Sequence, residues 1–383
     1  MTGTIFQALA ILTLAFFGML FQARLVEMVP ACTPFVLGLV GGIAAAVAVV
    51  RDRAEAVLRG RGAAWLGWCA MGLLVLLLVV GRRYRGGVYL PGRINPSEFV
   101  KLGLVAFAAG RLAVAEGRPT WRFSLGVGAL LALAAAVGDF GLAAQLALTV
   151  ATMLFAASWV WGTLAWGVIV FGACTAAAFP MGHLATRFAV WRDPLADATG
   201  AGWQTLQGLA AVMRGGGPGV GFGLGHADQV PIVTSDFVYA ALAEDFGLFG
   251  CAVVLGVWGF VLLRALKTAR RAAEKGKNAS ALLATGIVAS LAVQIVLNIA
   301  GVLNALPMTG ITLPLISHGG MSLIATLVMG GILVGLDASF SPSSSVPASG
   351  ARTRGGRGCE GGKKGTSRSP RPARPCSTLR SRS

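Results

Sequence analysis

The stretch RFAVWRDPLADATGAGWQTLQGLAAVMRGGGPGVGFGLGHADQVPIVTSDFVYAALAEDFGLFG, residues Arg187 to Gly250, decides how the chain is read. Before it, and after it to about Leu336, the sequence is mostly apolar runs of membrane-spanning length. Here the apolar run stops. Arg, Trp, Asp, Gln and a Gly-rich segment take over for about fifty residues, and Asp236 then stands at the start of the next apolar run. A membrane protein with this much polar chain in one loop is expected to use it to handle something.

Working outward, AVILMFWYC residues make up 55% of the chain and DEKR only 12%, with mean hydropathy +0.74. Soluble domains carry about twice that charged fraction. Several runs reach the roughly 20 apolar residues that cross about 30 Å of hydrocarbon. The reading is an all-α polytopic membrane protein. A β-barrel is excluded because the runs are continuous rather than alternating. The formal charge of +17 does not point to nucleic acid. The basic residues lie between apolar runs and in the tail, where the positive-inside rule puts them. Cys32, Cys69, Cys174, Cys251, Cys359 and Cys376 show no metal or CxxC spacing and read as small buried hydrophobes. The first apolar run is long enough to span and has no A-x-A cleavage site after it.

Ten spans are expected, near 4–25, 34–50, 63–81, 99–116, 123–138, 142–159, 161–180, 237–264, 279–306 and 321–338. The fifth and sixth are separated only by Gly138-Asp139-Phe140-Gly141. Fusing them would give nine spans and invert every later loop. With ten, Arg51, Arg53, Arg59 and Arg61, then Arg111, Arg118 and Arg122, then Arg264, Lys267, Arg270, Arg271, Lys275 and Lys277 fall on one side. That side is the cytoplasm, so both termini are inside and the long loop 181–236, between helices 7 and 8, faces outward. Arg82, Arg83, Arg85 and Arg93 dissent: they are a local exception or a basic patch for an anionic lipid headgroup. Residues 1–340 form the transmembrane domain. From Ser341 the composition turns to Ser, Pro, Gly, Arg and Lys, so 341–383 reads as a basic disordered cytoplasmic tail.

Some motifs carry chemistry. In Asn95-Pro96-Ser97-Glu98-Phe99-Val100-Lys101, Glu98 and Lys101 share a helix face and can pair. The pair reads equally as structural or as a substrate contact. Asp139 suits a turn and an N-cap. Arg187, Arg192 and Asp193-Pro194 precede Gly202-Trp203-Gln204 and Gln207, which open an amphipathic segment, Thr205 to Met213. The glycines from 215 to 225 lack the Lys-Ser/Thr ending of a phosphate loop and read as a flexible outer loop. Asp236 is a helix cap or a catalyst. Glu244, eight residues on, is expected on roughly the same face. Leu306 to Gly320, with two Pro and three Gly in an apolar setting, suggests a broken or re-entrant segment. His318 within it is a titratable or a structural residue.

In this order the pieces resemble the SEDS family of bacterial cell-wall polymerases, whose best-known members are FtsW and RodA. The family's QPSE-x-x-K looks like Asn95 to Lys101, its PDLGTA like Gly138 to Ala143, and its Asp-Pro with Gly-Tyr/Trp-Gln-x-x-Gln like Asp193 to Gln207. Its HTDFIFA-x-x-x-EE-x-G looks like Thr234 to Gly247, and its LP-x-TG-x-x-LP-x-ISYGGSS like Leu306 to Ser322. Asn95, Thr234-Ser235, Asp245-Phe246, His318 and Met321 depart from the pattern. The resemblance implies a peptidoglycan glycosyltransferase that joins lipid II units and releases undecaprenyl pyrophosphate during division or elongation. It implies Asp236 as general base, and Glu98, Lys101, Arg187, Arg192, Trp203, Gln204, Gln207 and Ser317 as substrate-binding residues. Arg187, Arg192 and Lys101 are the candidate pyrophosphate contacts, with a divalent cation, magnesium or manganese, as candidate helper and no organic cofactor. It further implies a class B penicillin-binding protein as partner and a multi-pass location in the bacterial inner membrane. The rival readings are a lipid II flippase or other transporter, and a non-catalytic division scaffold.

Overall fold

The computed structural model describes residues 2–25, 28–50, 53–84, 87–91, 95–157, 162 and 182–341. The seventh expected span, 161–180, and the tail lie outside these apart from residues 162 and 341. The described helices are α1 (Thr2–Leu25), α2 (Met28–Val50), α3 (Arg53–Arg59), α4 (Arg61–Val80), α5 (Ser97–Val114), α6 (Trp121–Val137) and α7 (Phe140–Ala156), then α8 (Gly182–Arg192), α9 (Trp203–Gly215), α10 (Val238–Glu274), α11 (Asn278–Val302) and α12 (Gly320–Phe340). Six of them, α1, α2, α4, α10, α11 and α12, are long and apolar enough to cross a bilayer; α6 and α7 are shorter apolar helices. Nine of the ten expected spans therefore coincide with helices among the described residues.

The weakest boundary resolves into two helices. Gly138 takes a left-handed φ of 84°, which ends α6, and the Asp139 carboxylate then accepts from the Leu142 amide of α7 at 2.9 Å. One departure from an all-helical chain lies in the dissenting basic loop, where Arg82–Tyr84 (β1) and Gly87–Tyr89 (β2) pair antiparallel as a short ribbon. A three-residue ribbon is too short to show as alternation in sequence.

Apolar side chains gain little by leaving lipid for protein, so close backbone approach and polar pairing hold such a bundle together. The α2–α12 contact shows the first. A Cβ placed on Gly331 would lie 2.0 Å from the Gly42 carbonyl oxygen, and one on Gly42 would lie 2.7 Å from that of Leu327. Polar pairing ties both ends. At one end Asp337 of α12 accepts from Thr4 Oγ1 of α1 at 2.7 Å, from Thr268 Oγ1 at 2.6 Å and from Arg264 at 3.0 Å, the last two on α10. At the same end Glu55 of α3 accepts from the amide and hydroxyl of Ser280, capping α11, and these bonds hold its carboxyl below its ordinary pKa despite burial. At the other end Arg24 of α1 pairs with the buried Asp245. The loops richest in Arg and Lys thus gather at the Thr4 end.

The segment before α10 is not a loose loop. At 1.5 Å per residue the 37 residues of α10 would run about 55 Å, well beyond a bilayer core. The helix is broken at Gly247 (φ 63°, ψ −169°). The break strands the carbonyls of Glu244 and Asp245 and the amides of Leu248 and Phe249. The Gly-rich run supplies their partners. Val220 and Gly221 amides donate to the two carbonyls at 2.9 and 3.0 Å, and the Gly216 and Gly217 carbonyls accept from the two amides at 2.9 and 3.2 Å. The glycines expected to be a flexible outer loop are instead a backbone clasp around a helix break. Glycine is needed because a Cβ on Gly247 would lie 2.2 Å from the Gly217 oxygen.

Candidate active site

The three residues that lead into α10 are Thr234, Ser235 and Asp236. None of them caps the helix: the N-cap position is Phe237, and no side chain bonds the first turn there. Their backbone carbonyls precede the helical ladder and need other partners. Each has one. Thr234 O accepts from Gln22 Nε2 at 3.1 Å and from the His318 amide at 2.7 Å. Ser235 O accepts from Ser317 Oγ at 2.7 Å. Asp236 O accepts from Asn298 Nδ2 at 3.0 Å. Behind them α9 packs against the start of α10, close enough that a Cβ on Gly208 would meet the Phe237 ring at 2.5 Å. The backbone at Asp236 is therefore fixed from α1, α9, α11 and the segment between α11 and α12.

The Asp236 side chain faces a cavity of about 460 Å³. The wall is built from sequence-distant pieces: Tyr89 of the ribbon; Asn95, Ser97, Glu98 and Lys101 at the start of α5; Gly138, Asp139, Phe140, Leu142 and Gln145 around the α6–α7 turn; Arg187 of α8; and the stretches Thr309–Thr312 and His318–Ser322. Glu98 and Lys101 form the expected ion pair, and Lys101 also donates to Gln294 at 3.0 Å. Arg187 Nη1 donates to the Met308 carbonyl at 3.1 Å. Gly310, with φ 74°, is the point where Asp236 and Arg187 converge. A Cβ there would lie 3.6 Å from Asp236 Oδ2 and 3.9 Å from Arg187 Nη2.

The electrostatics suit a proton acceptor. Burial pushes the Asp236 carboxyl above the usual carboxylate range, against the lowering effects of the Ser235 hydroxyl bond and the Arg187 guanidinium; the Asp139 charge adds to the rise. The residue is half-buried where it lines the cavity. Asp139 is raised in the same way, mainly by burial and partly by Glu98, with its bond to Leu142, Lys101 and Arg187 opposing. The site therefore pairs several carboxylates with two cations in one enclosed space.

The structure brings together Asp236, Glu98, Lys101 and Arg187. It places the other residues named from sequence elsewhere. Arg192 is exposed at the end of α8. Trp203, Gln204 and Gln207 lie on α9 behind Phe237, where Gln204 Nε2 donates to the Pro231 carbonyl at 3.2 Å. Ser317 is buried on the backbone of Ser235 and of Leu313. Glu244 does not share the Asp236 face: it is fully buried, accepting from Arg214 at 2.7 Å and from the His226 amide at 3.1 Å. Sequence reasoning gave Asp139 only a capping role. It does cap, and it also lines the cavity. Asn298 was noted in the ninth span without a role; Gln145, Gln294 and Thr312 were missed. A lone amide inside an apolar run was the available signal for the two glutamines.

Comparison with known proteins bears on the family of the chain. The chain is 32% identical over 272 residues to the peptidoglycan glycosyltransferase RodA of Mycobacterium tuberculosis, covering 64% of this chain and 56% of that protein. It thus spans little more than half the length of that relative. It is 34% identical over 286 residues to the probable peptidoglycan glycosyltransferase FtsW of Halomonas elongata, covering 70% and 71% of the two chains. Among solved structures it resembles a chain from a peptidoglycan synthase complex described as coordinating polymerization and crosslinking, with TM-score 0.69, 25% identity and coverage of 88% and 98%. It also resembles the rod shape determining protein RodA of Thermus thermophilus, with TM-score 0.60, 25% identity and coverage of 89% and 97%. The apolar helices and these relatives make it a multi-pass protein of the bacterial inner membrane. The family model for FtsW, RodA and SpoVE, described as cell cycle protein, matches residues 6–341, and the chain belongs to that family.

Proposed function

We propose that this chain is a peptidoglycan glycosyltransferase that polymerises lipid II, with Asp236 as general base. The observation that carries the reading is the single cavity in which Asp236 meets Arg187, Lys101 and Asp139, delivered there by four separate parts of the chain. The Asp236 carboxylate takes the proton of the acceptor sugar hydroxyl, whose oxygen attacks the anomeric carbon of the donor. The bond from that carbon to undecaprenyl pyrophosphate breaks, and the pyrophosphate leaves as a stable anion. No general acid is required, so one carboxylate suffices where hydrolases use two. Arg187 and Lys101 are placed to hold the leaving group. The cavity end of the bundle, opposite the basic Thr4 end, is then extracytoplasmic, with both termini inside.

A divalent cation fits only in part. No three His, Cys, Asp or Glu side chains converge among the described residues, so these alone do not cage one. Asp139 is the carboxylate left to share magnesium or manganese with substrate phosphates, where the ion would offset pyrophosphate charge. The likeness to a chain of a synthase complex favours a crosslinking partner, which we take to be a class B penicillin-binding protein.

Liposomes holding purified protein and labelled lipid II test the reading. Glycan polymer is expected, while lipid movement between leaflets without polymer would establish a transporter instead. A scaffold role would let Asp236 variants complement a deletion strain.

A further inference from the structure

Gln294 lies inside α11 with no exposed surface, in a helix whose residues are mostly apolar. Its amide is committed on both sides to groups that wall the cavity. Oε1 accepts from Lys101 Nζ at 3.0 Å and from Gln145 Nε2 at 3.2 Å. Nε2 donates to the Thr312 carbonyl at 3.0 Å and lies 3.3 Å from its hydroxyl. This orientation is dictated by chemistry. An ammonium has only donors, so the amide oxygen must face Lys101, and the NH2 is left for a carbonyl. The Thr312 hydroxyl in turn bonds Ser322 at 2.8 Å at the start of α12. One side chain therefore links α5, α7, the segment between α11 and α12, and through Thr312 the first turn of α12.

The consequence concerns Lys101. Its ammonium is buried and has the Glu98 carboxylate one turn away on its own helix. A carboxylate alone would draw the ammonium back along α5. Gln294 gives it a second, neutral acceptor across the helix interface. Neutrality matters, because a second carboxylate there would cancel the cation and would set a charged oxygen against the Thr312 carbonyl. An apolar residue would take the neutral acceptor from Lys101 and the side-chain donor from the Thr312 carbonyl, while Gln145 would keep Ser290.

We propose that Gln294 is a positioning residue. It fixes the Lys101 ammonium toward the cavity for a phosphate-bearing lipid and locks the Thr312 wall opposite. The proposal rests on the glycosyltransferase reading above. It extends that reading to a residue that meets neither substrate nor Asp236.

The test is a double-mutant cycle on binding, in Asp236→Asn protein so that bound lipid II is not consumed. Fluorescent lipid II titrated into purified protein in nanodiscs gives Kd. Gln294→Met is expected to weaken binding about tenfold, the size of one charged hydrogen bond. In a Lys101→Met background the same change is expected to cost less than about twofold. Gln294→Glu keeps the shape and guards against a misfolded methionine variant. It too is expected to weaken binding, because its second oxygen replaces the donor to the Thr312 carbonyl. Unchanged Kd for both Gln294 variants would overturn the proposal, and so would an equal loss with and without Lys101, which marks a purely structural role. Failure of the underlying reading looks different: the Asp236→Asn parent would still polymerise lipid II, or would not bind it at all.

Discussion

Replacing Gly247 by Ala tests the clasp that sets the start of α10. The break at Gly247 leaves four backbone groups to be satisfied by the Gly-rich run, with bonds from 2.9 to 3.2 Å. An alanine Cβ would lie 2.2 Å from the Gly217 oxygen and 2.3 Å from the Gly219 nitrogen. Both are backbone atoms, so no rotamer change relieves the clash. The helix must straighten and expel the clasp. Straightening returns about 1 kcal/mol of helix propensity and lets Leu248 N and Phe249 N bond the carbonyls of Glu244 and Asp245 within the helix. Losing the four clasp bonds costs about 1 kcal/mol each, and the two re-formed bonds return about half of that. The balance is a loss of about 1 kcal/mol, or a fall in melting temperature of about 2–4 °C. Gly256→Ala is the control: it lies on the same helix with nothing within 4 Å of a Cβ, and it should be neutral or slightly stabilising. Thermal unfolding of both proteins in detergent, with limited proteolysis of residues 215–226, reads the difference. Equal melting and equal cleavage would refute the clasp.

Other perturbations test the site and its frame. On the proposed mechanism Asp236 works as a carboxylate, so activity should be lost as pH falls through its raised pKa, and the acid limb of kcat/KM should stand above the ordinary value of about 4. Arg187→Met removes a cation that opposes that rise, so its limb should move to higher pH; a limb that stays put would detach Arg187 from Asp236. Arg24→Met leaves the fully buried Asp245 carboxylate without its cation and should destabilise by about 3 kcal/mol in thermal unfolding. Breaking the exposed Arg270–Glu274 pair should change the same measurement by less than about 0.5 kcal/mol.

Much of this arrangement was readable from the chain alone, because bilayer thickness fixes how long an apolar run must be. Span positions followed from that, and even the Gly138-Asp139 break was written in the two residue types that end and start helices. Asp236, Glu98, Lys101 and Arg187 stood out because charge beside an apolar run is costly unless used. Other features depended on tertiary partners. The glycines from 215 to 225 are equally good for a loose loop and for close backbone contact, and only the break at Gly247 decides between them. Ser317 and Gln204 carry polar groups that could meet substrate, but the fold spends them on stranded carbonyls. Gln294 and Gln145 become meaningful once helices far apart in sequence are packed side by side.

Polymerisation of lipid II by purified protein, with and without Asp236→Asn and in the presence of a class B penicillin-binding protein, measures the main claim most directly. Glycan strands are expected from the unaltered chain, with a rate at least about a hundredfold lower for the asparagine variant. Strands made at an undiminished rate by the variant would show that the proton leaves the acceptor sugar by some other route.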